Sequence, residues 1–253
     1  MSLRDTLCDV LEPVGRPLLR EHSVKVIGDE IRDGRFLVSF PRAALGPGPS
    51  RVLRGMLARL GAPDAGIAAL DPLQSRASVL HFGYEPEARA EVLKCYLEFP
   101  ADDRPAPGQA FLALKWTPRA HVLSDYRDPG PLGPAERRAR IRALLPEGPV
   151  SDALQTLAGL PADLTLLEVT EPGSARRSLD LNLTPLSARV ADHAALLRPL
   201  LGPGAGALLE RLGAARLDHV AAGTARDGQA FATLYHGVHR VHGSLKEAAW
   251  TGA

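Results

Sequence analysis

Cysteine is scarce. Cys8 and Cys95 are the only two in 253 residues, and they share no CxxC spacing, so the chain carries neither a disulfide framework nor a thiolate metal cluster. An excess of either charge is missing too: 30 Lys plus Arg face 29 Asp plus Glu, a net charge of +1. No strong field is available to recruit nucleic acid or an anionic membrane. No apolar run approaches the roughly 18 residues that a membrane span requires. The opening MSLRDTLCDVLEPVG places acids inside its apolar pattern, unlike a signal peptide, and the expectation is a soluble, cytoplasmic protein. Aromatic residues make up only 5%. The chain contains no P-loop, no GxGxxG after a strand, no GxSxG and no HExxH, which removes the sequence-marked nucleotide, dinucleotide, hydrolase and zinc-protease chemistries.

What remains is an ordinary globular composition, 45% apolar and 23% charged, with enough chain for a sizeable core. We read residues 1–253 as a single domain. The 24 Gly and 22 Pro cluster in turns and linkers (GPGPS, DPGPLGP, LGPGAG) without a collagen-like period. Apolar spacing predicts helices over 3–19, 49–61, 134–145, 151–159 and 188–213, the last interrupted at 202–206. Between them, period-two segments come in pairs: 23–30 with 34–40, 77–84 with 91–99, 164–170 with 176–183, and 215–222 with 229–236. A single additional strand reads at 110–116. Two of the pairs carry the same tripeptide, Arg32-Asp33-Gly34 and Arg226-Asp227-Gly228, where Asp-Gly suits the positive φ of a tight hairpin. The pattern is that of a degenerate repeat of helices followed by a hairpin.

The strands have two unlike faces. In 91–99, Lys94, Tyr96 and Glu98 alternate with Leu93, Cys95, Leu97 and Phe99; in 178–183 the polar face is Ser178, Asp180 and Asn182; in 35–40 the apolar face is Phe36, Val38 and Phe40. Helices covering the apolar faces of one antiparallel sheet leave the polar faces looking either at water or into the lumen of a closed barrel. Closure removes the exposed edges of such a sheet.

A lumen lined with Lys, Arg, Tyr and Asn suits a phosphate or diphosphate, because cations and phenols are donors and enclosure strengthens each charge-assisted bond. Lys115, Trp116 and Asp180 are further lumen candidates; Trp116 reads either as an aromatic wall with Tyr126 or as hydrophobic packing in the core. Asp102-Asp103 has no second acidic cluster to complete a metal site and reads as a surface loop. His236, His239 and His242 recur at spacing three and read either as metal ligands or as polar residues of a terminal segment.

Glu21-His22-Ser23-Val24-Lys25 running to Arg35-Phe36-Leu37-Val38-Ser39-Phe40, Ser78-Val79-Leu80 running to Leu93-Lys94-Cys95-Tyr96, and Leu217-Asp218 running to Thr233-Leu234-Tyr235-His236 together resemble hairpins of the cyanobactin-type peptide prenyltransferases, members of the αββα (ABBA) barrel family. The resemblance implies an α+β fold, an antiparallel barrel of consecutive hairpins inside a ring of helices. It implies transfer of a dimethylallyl or geranyl group from its diphosphate to a side chain of a ribosomal peptide, so the partners are an isoprenoid diphosphate and a peptide. By position it implies Glu21 as the base and Arg35, Lys94, Tyr96, Asn182 and Tyr235 around the diphosphate. Ionising an allylic diphosphate needs donors on the leaving group, aromatic faces beside the cation and a base for the acceptor's proton. Magnesium, brought with the diphosphate, stays an open cofactor because no acidic cluster marks a metal site.

Three features depart from the family. A fifth strand pair reads as absent or reduced to 238–250, aromatic residues are few, and 111–116 with its long Pro/Gly-rich sequel sits outside the pattern, either replacing the missing strand or adding a lid. Two other readings therefore stand beside the first: a non-catalytic barrel holding a peptide or apolar ligand, and an ABBA enzyme acting on a small aromatic acceptor.

Overall fold

The computed structural model describes residues 2–15, 17–86, 90–202 and 204–246. Among these, seven α-helices and ten strands follow one another in pairs. Helix α1 (Leu3–Leu11) leads to β1 (Leu18–Ile27) and β2 (Glu30–Pro41); α2 (Pro49–Arg59) and α3 (Asp64–Leu70) lead to β3 (Val79–Glu85), β4 (Val92–Glu98), β5 (Gln109–Trp116) and β6 (His121–Arg127). Helices α4 (Pro134–Leu144) and α5 (Pro149–Ala158) precede β7 (Leu166–Thr170) and β8 (Arg177–Asn182); α6 (Ala194–Leu201) and α7 (Ala205–Leu212) precede β9 (Leu217–Thr224) and β10 (Ala230–Val241). The strands close into an antiparallel barrel in the order β1-β10-β9-β8-β7-β6-β5-β4-β3-β2, ringed by helices, as the alternating faces require.

The strand pair read as missing is found in the middle of the chain. Residues 110–116, expected as a lone strand, pair with β6, and β10 runs on to Val241, so the tenth strand takes in 238–241 and no separate strand pair is needed from the rest of 238–250. Of that segment, residues 247–250 lie outside the described residues. Two further corrections are local. Helix 3–19 stops at Leu11, with a 3-10 turn over Glu12–Val14, because Pro13 and Gly15 break it and the chain enters β1 at Leu18. The first hairpin turns at Gly28-Asp29 and not at Arg32-Asp33-Gly34. Gly28 takes φ +56° there, whereas Gly34, at φ +75°, lies inside β2, where a left-handed residue marks a bulge. Arg226-Asp227-Gly228 does form its turn, with Gly228 at φ +83°. The helix expected over 188–213 is two, as its interruption at 202–206 indicated, but the first begins only at Ala194; α3 was not anticipated.

The chain divides into two compact units. In the first (1–21, 34–126 and 239–250), Phe36, Val38 and Phe40 of β2, Leu80 and Phe82 of β3, Leu93, Cys95 and Leu97 of β4 and Leu112, Leu114 and Trp116 of β5 pack against Leu7, Leu53, Leu57, Ile67 and Leu70 of the helices. In the second (22–33 and 127–238), Leu179 and Leu181 of β8, Val220 and Ala222 of β9 and Ala232 and Leu234 of β10 pack against Leu154, Leu157, Leu197 and Leu208. The strand faces opposite these apolar ones line the lumen. No helix among the described residues is long and apolar enough to cross a membrane.

Candidate functional site

In the first unit the register of β2 to β5 sets lumen side chains in rungs. Ser39 stands opposite His81, His81 opposite Tyr96 and Tyr96 opposite Ala113. Two residues along, Leu37, Gly83, Lys94 and Lys115 form the next rung, about 7 Å away at the strand rise. Gly83 supplies no side chain there. A Cβ on it would come within 3.1 Å of Leu37 Cδ1 and 3.4 Å of Lys94 Cβ, so the glycine gives the Lys94 chain room to lie across β3.

This second rung is cationic. Lys94 and Lys115 are buried, and Arg35, on the same face of β2, is buried as well. Arg35 Nη2 and Lys94 Nζ both donate to one oxygen, Oε1 of Glu85. Two predicted cations are thus brought together at a point where an oxyanion already sits, and the carboxylate that occupies it was not anticipated. Glu85 ends β3, where alternation alone marks it as one more polar residue.

The rung of His81 and Tyr96 is aromatic. Ring centroids are 6.2 Å apart for His81 and Tyr96, 5.8 Å for His81 and Phe111, 5.7 Å for Tyr96 and Tyr126, and 5.9 Å for Phe111 and Tyr126, closing a cycle of four tilted or edge-on rings. Lys115 Nζ lies 5.8 Å from the Tyr126 ring, joining the aromatic and cationic groups. Three of the chain's twelve Phe, Tyr and Trp residues take part in this cycle. Trp116, expected in the lumen with Tyr126, points the other way: it packs in the helix-facing core, and its Nε1–H donates to Leu60 O at 3.1 Å. Lys115 and Trp116 are neighbours on one strand, so only one of them faces the lumen.

Glu21 lies in β1, not at a helix end, and alternates with Leu18 and Arg20. Arg20 turns to the core side, its guanidinium 4.7 Å from the Phe36 ring centroid, which puts Glu21 on the lumen side of its strand.

In the second unit Asn182, His219 and Tyr235 share a rung, with Asp180, Ala221 and Thr233 on the next. Asp180 Oδ1 lies 3.2 Å from His219 Nδ1, and His219 meets the Tyr235 ring edge-on at 6.0 Å. Asn182 Oδ1 accepts from the Thr184 amide and hydroxyl at 2.9 and 2.6 Å, capping the end of β8. Lys25 and Arg176 both sit over the Phe231 ring, 4.8 and 5.2 Å from its centroid. The predicted residues thus fall into two sets, Glu21, Arg35, Lys94, Tyr96 and Lys115 in one unit and Asp180, Asn182 and Tyr235 in the other.

The three histidines assemble no metal site. His236 is buried on the core side of β10 and stacks at 6.0 Å on His22, whereas His239 and His242 are exposed. Among the described residues no group of three or more His, Cys, Asp or Glu side chains converges on a point. Asp103 holds Arg76 in a surface ion pair.

No protein family and no curated protein matches the sequence. Solved structures do match the fold. AnaPT from Neosartorya fischeri superposes with a TM-score of 0.55 at 15% identity, over 91% of this chain and 80% of that one. The NotF prenyltransferase superposes with a TM-score of 0.51 at 13% identity, over 87% of this chain and 80% of that one. The barrel is accordingly of the αββα type.

Proposed function

We propose that the protein is a prenyltransferase that moves an isoprenoid group from its diphosphate to an acceptor inside the barrel. One observation carries the reading: a buried cationic rung of Lys94 and Lys115, with Arg35 beside it, adjoins a cycle of aromatic rings on the same lumen face. Cations oriented by Glu85 stabilise the departing diphosphate, and ring faces of Tyr96, Phe111 and Tyr126 stabilise the allylic cation that its departure leaves. The fold shared with the NotF prenyltransferase supports the same chemistry. Glu21 stands on the lumen side of β1, where the sequence resemblance implies a proton acceptor. Asn182 and Tyr235, implied as diphosphate neighbours, belong to this reading by resemblance.

The finer reading, also from the resemblance, takes a side chain of a ribosomal peptide as acceptor. A second reading, a small aromatic acceptor, is favoured by the ring cycle, which offers stacking partners to a planar molecule.

The test is incubation with dimethylallyl or geranyl diphosphate, with and without magnesium, against free indole and phenol and against short tryptophan- and tyrosine-containing peptides. Mass spectrometry then reads added isoprene units. Product on any acceptor supports transfer and chooses between the readings; diphosphate-dependent product on none contradicts it.

A further inference from the structure

Across the aromatic rung runs a hydrogen-bonded line that the proposed reaction does not yet use. Ser39 Oγ lies 2.7 Å from His81 Nδ1, and His81 Nε2 lies 2.8 Å from Glu98 Oε2. The three residues come from three adjacent strands: Ser39 is directly opposite His81 in the β2–β3 ladder, and Glu98 is the diagonal neighbour of His81 in the β3–β4 ladder, two residues from Tyr96. All three stand on the lumen face.

The chemistry of the groups fixes the direction of the line. An ionised carboxylate only accepts hydrogen bonds, so Glu98 takes the Nε2–H and leaves Nδ1 as a bare acceptor. With the imidazole neutral, the Ser39 hydroxyl then donates to Nδ1. Its one proton is committed, and what Oγ presents to the lumen is lone pairs. The arrangement has the components of a nucleophilic triad, yet Ser39 lies on regular strand near the end of β2, flanked by β1 and β3 in the closed barrel, and not on the strained turn that exposes a nucleophile.

We propose, resting on the prenyl-transfer reading, that Ser39, His81 and Glu98 form a proton relay that takes the acceptor's proton, giving the lumen a base other than Glu21. In the step, the acceptor's nucleophilic atom forms a bond to the allylic carbon as the carbon–oxygen bond to diphosphate breaks, and the diphosphate leaves with the electron pair. The acceptor's proton passes to Ser39 Oγ while the Ser39 proton passes to His81 Nδ1. The product is an imidazolium held by Glu98, with Ser39 restored as a hydroxyl. Ser39 is the catalytic group; His81 carries the charge and Glu98 positions it. An acceptor resting on Tyr96 and Phe111 lies beside His81, and the cationic rung lies two residues further along the same strands.

The experiment compares wild type, Ser39→Ala, His81→Gly and Glu98→Gln in two assays: calorimetric binding of dimethylallyl thiodiphosphate, and transfer from dimethylallyl diphosphate to the aromatic acceptors above. The relay predicts retained thiodiphosphate binding in all four proteins, transfer reduced about a hundredfold or more in Ser39→Ala and His81→Gly, and partial recovery of His81→Gly, but not of Ser39→Ala, on adding imidazole. In ¹⁵N-histidine-labelled wild type, His81 is expected as the Nε2–H tautomer, a state lost in Glu98→Gln. Binding and transfer in wild type with Ser39→Ala within a few-fold of it overturns the relay alone. Labelling of Ser39 by a fluorophosphonate overturns it in favour of a nucleophile. Absence of thiodiphosphate binding in wild type overturns the prenyl-transfer reading, and the relay as its base falls with it.

Discussion

Lys94 and Lys115 stand directly opposite each other across the β4–β5 ladder, both on the lumen face and both more than nine-tenths buried. Like charges in opposed positions destabilise a sheet, and burial adds a desolvation cost. An anion bound between such residues recovers both. Glu85 already offsets part of this cost at Lys94, and a bound anion would offset more, so the rung reads as some stability given up for the sake of a ligand.

Lys115→Met tests this trade. We expect the ligand-free variant to be more stable than wild type by about 1 kcal/mol, seen as a raised midpoint in denaturant, and to bind isoprenoid thiodiphosphate more than tenfold more weakly. Lower stability with unchanged binding contradicts the trade.

Gly83→Val addresses the room left for Lys94. Its side chain would press on Leu37 and Lys94, both already close to the place a Cβ would take, and we expect a stability loss of about 1 to 3 kcal/mol from overpacking. Diphosphate binding should fall more than this loss explains, measured by calorimetry at a temperature where the variant is fully folded.

Arg137 is a structural clamp and should behave differently from the lumen cations. It is 1% exposed and donates to five carbonyls, those of Ala158 at 2.8 Å, Leu132 at 2.8 Å, Leu160 at 3.1 Å, Ala162 at 3.2 Å and Leu164 at 3.4 Å. Arg137→Met leaves these acceptors without their donor. A cost of about 3 kcal/mol or more is expected in chemical denaturation, and Lys, with a single donor centre, should recover only part of it.

His236 makes stability depend on pH in a defined window. Burial pulls its imidazole down to about 4, with Asp33 opposing and Arg211 adding to the shift. The unfolded chain titrates near 6.5, so below that pH the unfolded state binds the extra proton and stability falls as pH drops from about 6.5 to 4, by about 3 kcal/mol from this residue. Above that window the contribution is nil. His236→Phe should remove this component, so its midpoint relative to wild type should rise as the pH is lowered from 7 to 4. A constant difference across that range contradicts the account.

How far the sequence was legible follows from what each feature depends on. Hairpins such as 77–84 with 91–99 were readable because one face of each strand is uniformly apolar, and that pattern is local. Strand β6 was not: His121-Val122-Leu123-Ser124-Asp125-Tyr126-Arg127 is half-exposed, lacks clean alternation and follows Pro118 in a Gly/Pro-rich stretch. Arg35, Lys94 and Tyr96 were visible from the polar side of the strand alternation together with the family resemblance. Ser39, His81, Glu85 and Glu98 were not singled out, because their partnerships exist only across ladders, and register between strands is not written in either strand alone. Trp116 failed for the opposite reason. Its residue type suggested an aromatic wall, while its parity with Leu112 and Leu114 already assigned it to the core.

The most direct test of the central claim is calorimetric titration of wild type and Lys94→Ala with dimethylallyl thiodiphosphate, in the presence and absence of magnesium. The account predicts saturable binding by wild type and at least a tenfold loss in Lys94→Ala, with thermal unfolding showing that the variant stays folded. Equal binding by the two proteins, or none by wild type, would contradict a diphosphate site on the Lys94–Lys115 rung.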